Sequence, residues 1–328
     1  MKKNNSLREI CDGLMAADSV LIFPHNSIDG DSLGSSVALC RALLAKGKTA
    51  SVLIEEEIPG FLKFLDDGSC TFERDIIKSP GLCVCIDCAG VERFALRKDK
   101  FLEGAVTMCI DHHITSEPFA DLNFIDSGAA AAAEIIYEIL CETGSPIDKV
   151  TGEALYAAVI TDTGNFQYSN TTVNSHLITA GLFSLGIDHT YVSSKLYQDN
   201  RAEKFLIAGK IYATIRMIAG GKAVIAHVTR EMLQKSGASM EDSEGIAEHL
   251  RTISGVNISI FAKEMKSGEI KFSMRSKRGA DVSAIAMKYG GGGHASAAGC
   301  TIKKPVKEAI MMIESDVEKY FAGQFQAK

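Results

Sequence analysis

The chain has 328 residues, 46% of them apolar, and carries a net charge of −6 with a pI near 5.8. That length supports two domains and a large core, and no apolar run reaches the roughly 18 residues that a membrane span needs. The acidic balance, with no basic stripe, argues against a protein that tracks long duplex nucleic acid, where phosphate neutralisation supplies most of the affinity.

The start, Met1 to Asn5, is basic, but charges interrupt the apolar pattern from Leu7 to Asp12, so export is not expected. Nine cysteines, an odd number without paired spacing, suit a reducing compartment and a cytoplasmic location. Cys83, Cys85, Cys88 and Cys109 fall in or beside apolar runs and read as small buried hydrophobes. Ser19–Pro24 reads as a strand, followed by a helix over Ser32–Lys46 that Asp31 can cap. Ala50–Ile54, Leu82–Ile86 and Val106–Ile110 read as further strands, and Phe119–Ile125, less clearly patterned, as another. From Ala129 to about Arg216 the pattern is helical, broken at Gly144-Ser145-Pro146, Asp162-Thr163-Gly164 and Gly186. Alternating strands and helices predict an α/β fold, a mostly parallel sheet with helices on both faces.

Tyr197–Lys210 is charged and carries no motif, so it reads as a connector. Beyond it, Ile211–Ala219 with Lys222–Val228, and Val256–Lys263 with Glu269–Arg275, read as hairpins. Helices are expected over Ser243–Ile253, Val282–Tyr289 and Pro305–Phe321. The resulting division is a first domain over 1–195, a helical linker over 196–211 and a smaller α+β domain over 212–328.

Three carboxylate–histidine clusters each follow an apolar run: His25 with Asp29 and Asp31, then Asp87, then Asp111-His112-His113. A fourth acid, Asp162, follows a helical pattern. Asp29-Gly30-Asp31 alone would read as a turn and cap, and Asp87 alone as a strand-end acid. Their conjunction at expected strand carboxyl ends, where open α/β sheets build sites, points to a metal centre. Four acids with neutral His25 and His112 balance two divalent ions, an arrangement suited to phosphoryl transfer. In the second domain, Gly290 to Gly293 precede His294. Successive N–H groups there can form an anion nest. Ser273-Met274-Arg275-Ser276 ends a strand with a guanidinium, a natural phosphate partner. His176, His189, His227 and His249 belong to no cluster.

At these residues the chain resembles the DHH/DHHA1 phosphoesterase superfamily. His25-x-x-x-Asp29-Gly30-Asp31, Asp87, Asp111-His112-His113 and Asp162 are similar to its four catalytic-domain motifs. Gly291-Gly292-Gly293-His294-x-x-Ala297-Ala298-Gly299 is similar to the signature of its DHHA1 substrate domain. The compact length resembles the group of bifunctional oligoribonucleases and pAp phosphatases. The resemblance implies a hydrolase that removes the 3′-phosphate of pAp and degrades short oligoribonucleotides (nanoRNA), with an active site in the interdomain cleft. Relatives acting on pApA or cyclic di-AMP are close alternatives; a RecJ-like single-strand exonuclease or an inactive nucleotide-binding module is a more distant one. The resemblance also implies one ion held by His25, Asp29 and Asp87 and another by Asp31, Asp87, His112 and Asp162, most often Mn²⁺. By the same resemblance Asp87 bridges, Asp111 orients a histidine ligand, and His113 contacts the scissile phosphate. Arg275, Ser276, Gly291, Gly292, Gly293 and His294 hold the rest of the substrate. The expected partners are short oligoribonucleotides and pAp-type nucleotides, not long duplexes or membranes, and a homodimer is compatible with the sequence.

Overall fold

The computed structural model describes residues 3–277 and 279–323, so Met1 and Lys2 of the basic start lie outside the described residues. The chain divides into two compact units, Met1–Asp199 and Asn200–Lys328.

The first unit opens with α1 (Leu7–Ala16), whose Ser6 and Glu9 form a reciprocal capping box. Then come β1 (Ser19–Pro24), α2 (Gly30–Ala45), β2 (Thr49–Leu53), β3 (Cys70–Thr71), β4 (Leu82–Ile86), α3 (Lys98–Leu102), β5 (Val106–Asp111) and β6 (Leu122–Ile125). Four helices complete it: α4 (Ala132–Glu142), α5 (Lys149–Asp162), α6 (Val173–Ser184) and α7 (His189–Tyr197). The strands form one sheet of order β3-β2-β1-β4-β5-β6, with every pairing parallel.

Such a sheet is buried on both faces, which explains the continuous apolar runs. Val20 and Ile22 of β1, with Leu82, Val84 and Ile86 of β4, pack into the core formed with α1, α2, α4 and α5. Their neighbours Leu21, Phe23, Cys83 and Cys85 face the other way, into a second core with Phe94 and Phe101. The three phenylalanine rings stand 5.0–5.9 Å apart, each pair adding about 0.5–1.5 kcal/mol beyond area burial. The helix α2 approaches α5 closely at Gly34, where a Cβ would stand 2.5 Å from the Ala154 carbonyl oxygen.

The order of strands positions the site. The chain winds from β1 to β2 on one side and returns to place β4 on the other. At such a reversal a crevice opens outside the strand carboxyl ends. The two-residue β3 was not anticipated, because so short a strand has no readable period. The helix α2 also begins earlier than expected. Asp29 is its cap, accepting from Ser32 N at 3.0 Å, while Asp31 lies inside the first turn.

The second unit contains α8 (Ala202–Tyr212), β7 (Arg216–Ile218), β8 (Ala223–Val228), α9 (Arg230–Ser236), α10 (Ile246–Arg251), β9 (Ile258–Glu264), β10 (Ile270–Ser276), α11 (Ser283–Met287), β11 (Gly292–His294), β12 (Ala297–Ile302) and α12 (Val306–Phe321). Its sheet has order β11-β12-β10-β9-β8-β7 and is antiparallel except between β8 and β9. Ile260, Phe272 and Met274 face Ile285 of α11 and Ile313 of α12. Val224 and Phe261 face Ile207 of α8, Leu233 of α9 and Leu250 of α10. The stretch read as a connector holds the last residue of α7, a non-helical break over 198–201 and most of α8. Ile207 and Ile211, one helical turn apart and both buried, make α8 a core element of the second unit. Among the described residues no helix is long and apolar enough to cross a membrane.

Candidate metal centre

The strand ends deliver the expected residues to one place. His25 follows β1; its backbone N–H donates to Ser32 Oγ at 3.0 Å, and its Nδ1 lies 2.6 Å from Asn26 O. That leaves Nε2 facing Asp29 Oδ2 and Asp87 Oδ2, each at 3.3 Å. Asp87 leaves β4 with φ of 60°, a left-handed turn that costs about 1–2 kcal/mol in a non-glycine residue. Its N–H still donates to Ile110 O of β5 at 2.9 Å, so the turn redirects the side chain while the sheet keeps hold of the backbone. His112 follows β5, and its Nε2 stands 3.3 Å from Asp87 Oδ1, 3.6 Å from Asp162 Oδ2 and 3.7 Å from Asp31 Oδ2.

Asp31 is held by a device that the sequence reading missed. The cap position of α4 is Ala131, which offers no side-chain acceptor. Asp31 supplies one from a distant part of the chain. Its Oδ2 accepts from Ala132 N at 2.6 Å and its Oδ1 from Ala133 N at 3.0 Å, with Ser35 Oγ at 2.9 Å. A buried carboxylate thus meets the positive end of a helix, which satisfies two of its orphan amides. The available signal was faint: a run of small residues, Ala129 to Ala133, ahead of an apolar helix.

Asp111 is fully buried and accepts from Ser116 Oγ and, at 2.8 Å, from His113 Nδ1. The histidine that it orients is therefore His113, whose ring is 41% exposed. That hydrogen bond raises the His113 imidazole above its ordinary value against the effect of burial.

Three triads of donor atoms each fall within 4.8 Å: His25, Asp29 and Asp87; Asp31, His112 and Asp162; and Asp87, His112 and His113. Asp87 Oδ1 is shielded from water and makes no hydrogen bond, although two imidazoles stand beside it. The electrostatics call for positive charge at this point. Burial lowers His25, but Asp29 and Asp87 raise it more, to about 11. Burial likewise lowers His112, and Asp87, Asp31 and Asp162 raise it to about 10. Burial and the charges of Asp87 and Asp162 push Asp31 well up. Burial, with Asp87 and Asp29, lifts Asp162 to about 6, against the pull of His112. Asp87 is lowered despite its burial, because His112 and His25 face it. Crowded acids that hold protons on their neighbouring imidazoles are a donor set that a divalent cation would satisfy. The oxygen and imidazole donors, without thiolate, fit a hard or borderline ion.

In the second unit, Arg275 of β10 and His294 of β11 both pair with Ala297 of β12. They occupy one rung of the sheet and share a face, about 9–10 Å apart at the backbone with a methyl group between them. Arg275 Nε donates to Glu248 Oε1 at 2.7 Å, and His294 is exposed. Ser276 is placed differently: its buried hydroxyl bonds Ala280 O and Ala295 O, both at 2.8 Å, and so ties two loops together. The glycine run is not a four-residue nest. The amides of Gly290 and Gly291 close the end of α11 on Met287 O and Ala286 O, because helix-end carbonyls claim them first. Gly292 and Gly293 belong to β11. A Cβ on Gly291 would stand 2.1 Å from Gly299 O, and one on Gly293 would stand 2.5 Å from Ala297 O.

Residues 19–159 match the model of the DHH family, N-terminal domain, and residues 219–323 match that of the DHHA1 domain. The chain is 31% identical to the bifunctional oligoribonuclease and PAP phosphatase NrnA of Thermus thermophilus, over 90% of this chain and 88% of that protein. Among solved structures, an exopolyphosphatase-related protein from Bacteroides fragilis superposes with a TM-score of 0.90 at 25% identity, covering 97% of each chain. The exonuclease RecJ, solved bound to manganese, superposes with a TM-score of 0.58 at 15% identity, over 99% of this chain and 96% of that one, and shares the fold. The chain belongs to the DHH family and carries a DHHA1 domain.

Proposed function

We propose that this chain is a metal-dependent phosphohydrolase that removes the 3′-phosphate of pAp, giving AMP and phosphate, and degrades oligoribonucleotides of a few units to nucleoside 5′-monophosphates. The observation that carries the reading is the convergence of two of the three donor triads on Asp87, whose buried Oδ1 lacks a hydrogen bond. The substrate class is supported by the likeness to an oligoribonuclease and PAP phosphatase along most of both chains.

In this reading His25, Asp29 and Asp87 hold one divalent ion, and Asp31, Asp87, His112 and Asp162 hold a second, with Mn²⁺ the best fit to the donors. When bound, such ions polarise a phosphoryl oxygen and lower the pKa of water towards about 7. The protein's own contribution is to keep the donors in place before substrate arrives. The α4 amides hold Asp31, the sheet holds Asp87, and backbone carbonyls beside Nδ1 leave the Nε2 atoms of His25 and His112 facing the carboxylates. Asp111 keeps Nδ1 of His113 occupied, which leaves the other ring nitrogen for the scissile phosphate. Arg275 and His294, on one rung of the second sheet, hold the substrate's remaining phosphate or nucleotide.

Product analysis tests the reading: pAp, pApA, cyclic di-AMP and a ribo-5-mer, each incubated with Mn²⁺ and with a chelator control. The expected products are AMP with phosphate from pAp, and mononucleotides from the 5-mer, in the Mn²⁺ arm alone. Intact pAp and 5-mer alongside cleaved cyclic di-AMP would transfer the chain to the cyclic-dinucleotide class. No cleavage of any of the four would remove the hydrolase assignment.

A further inference from the structure

Just after Asp162 the backbone is left-handed at three successive residues. Gly164, Asn165 and Phe166 have φ of 55°, 56° and 63°. Glycine adopts this conformation freely and asparagine tolerates it, but a bulky residue such as Phe166 is strained there. Strain of this kind persists only where the surroundings impose it, and it clusters at binding sites. Here the restraints are visible. Asn165 N donates to Ile160 O at 2.6 Å, and the amides of Gln167 and Tyr168 both donate to Thr163 O at 3.0 Å. The Phe166 ring stacks on His176, with centroids 4.8 Å apart and planes at 23°. Asn170 Nδ2 returns to Asp162 O at 3.1 Å and to Ala130 O at 3.0 Å. The loop therefore starts and finishes at the backbone of one candidate ligand residue.

This loop presents Tyr168. Its ring lies over Gly164, where a Cβ would come within 2.4 Å of it, and the residue is 51% exposed. Among the described residues its hydroxyl makes no hydrogen bond, and packing of the ring on Gly164 is the contact that positions it. A flat aromatic surface on a loop tied at both ends to the backbone of Asp162 matches a nucleobase, since every base offers a π face and stacking is tolerant of sequence. We infer that Tyr168 is the stacking platform for the nucleobase next to the scissile phosphate, a base-binding subsite within the first unit. This inference rests on the hydrolase reading above and adds the group that recognises the base.

The test compares Tyr168→Ala and Tyr168→Phe on pAp and on the corresponding abasic ribose bisphosphate, with Mn²⁺. Loss of one stacked base should raise KM for pAp by roughly 5- to 100-fold in Tyr168→Ala while kcat changes little. Tyr168→Phe should stay within about twofold of wild type, because it keeps the ring. Neither variant should alter turnover of the abasic compound. A phosphorothioate-linked dinucleotide carrying 2-aminopurine should be quenched on binding wild type and Tyr168→Phe but not Tyr168→Ala. Equal losses on both substrates would make Tyr168 a structural residue, and unchanged kinetics on pAp would remove it from the site; either result overturns the platform while wild-type activity still stands. A wild-type protein inactive on both substrates would overturn the hydrolase reading and the platform with it.

Discussion

The two units present their candidate residues in opposite ways. In the first, three of the six candidate ligands, His25, Asp87 and His112, directly follow buried parallel strands, and Asp31, Asp87 and Asp111 are almost entirely shielded from water. In the second, Arg275 and His294 sit on one rung beside an edge strand of three residues, with His294 open to solvent. Charged groups that act on a reacting phosphate gain strength from a low dielectric and from geometry set in advance. Groups that capture a diffusing anion must stay reachable. On the proposed reading, the contrast places the chemistry in the first unit and the hold on the substrate's remote phosphate in the second.

The sharpest way to break this division is Asp87→Ala. Loss of the carboxylate common to two triads should lower kcat by roughly 10³-fold or more, and the melting temperature of the ion-free protein should fall, since His25 and His112 lose the carboxylate that faces them. Turnover within tenfold of wild type would dissolve the shared-ligand assignment. His294→Ala should act differently. Metal affinity, measured by calorimetry, should be unchanged, and kcat/KM on pAp should fall by roughly 10- to 10³-fold. Bis-p-nitrophenyl phosphate, which lacks a second nucleotide, should be much less affected. Equal losses on both compounds, or a loss of metal, would move His294 into the chemistry. Asp111→Asn probes the hold on His113. The exchange keeps the shape and removes the charge, and kcat should fall by roughly 10- to 100-fold with metal affinity nearly intact. A mild effect is expected from substrate length. With a net charge of −6, rates per end should be higher on a 2-mer to 5-mer than on a 24-mer. Equal rates across lengths would show a grip on nucleic acid that the second unit's single rung does not explain.

Legibility in the sequence followed the physics of each element. The strands leading to His25, Asp87 and Asp111 were readable because a sheet buried on both faces demands unbroken apolar runs, and polar residues straight after such runs have little packing value. Asp162 was less distinct, since it closes a helix rather than a strand. The partners of Asp31 were unreadable: backbone amides leave no trace in residue identity, and the acid standing next to α2 looked like that helix's own cap. Asp29 has that role instead, two residues earlier. The glycine run suggested a nest because composition shows which conformations are allowed, not which carbonyl claims which amide. Gly164 to Phe166 gave no warning at all, because two of the three residues are not glycine and their handedness is imposed by the loop around them.

The bond pair from Ala132 and Ala133 to Asp31 crosses 101 and 102 residues of chain. An unfolded chain therefore contains the donor atoms but not the site, and an ion that binds the centre selects the folded first unit over the ensemble of open chains. Metal and stability are thermodynamically linked: an ion at 100 times its dissociation constant adds about 2.7 kcal/mol to unfolding, on the scale of a well-placed core side chain. On the proposed reading, the concentration of free metal in the surroundings would set how long the protein lasts as well as how fast it works, and scarcity of the ion would leave a chain more open to proteolysis before it left one merely idle.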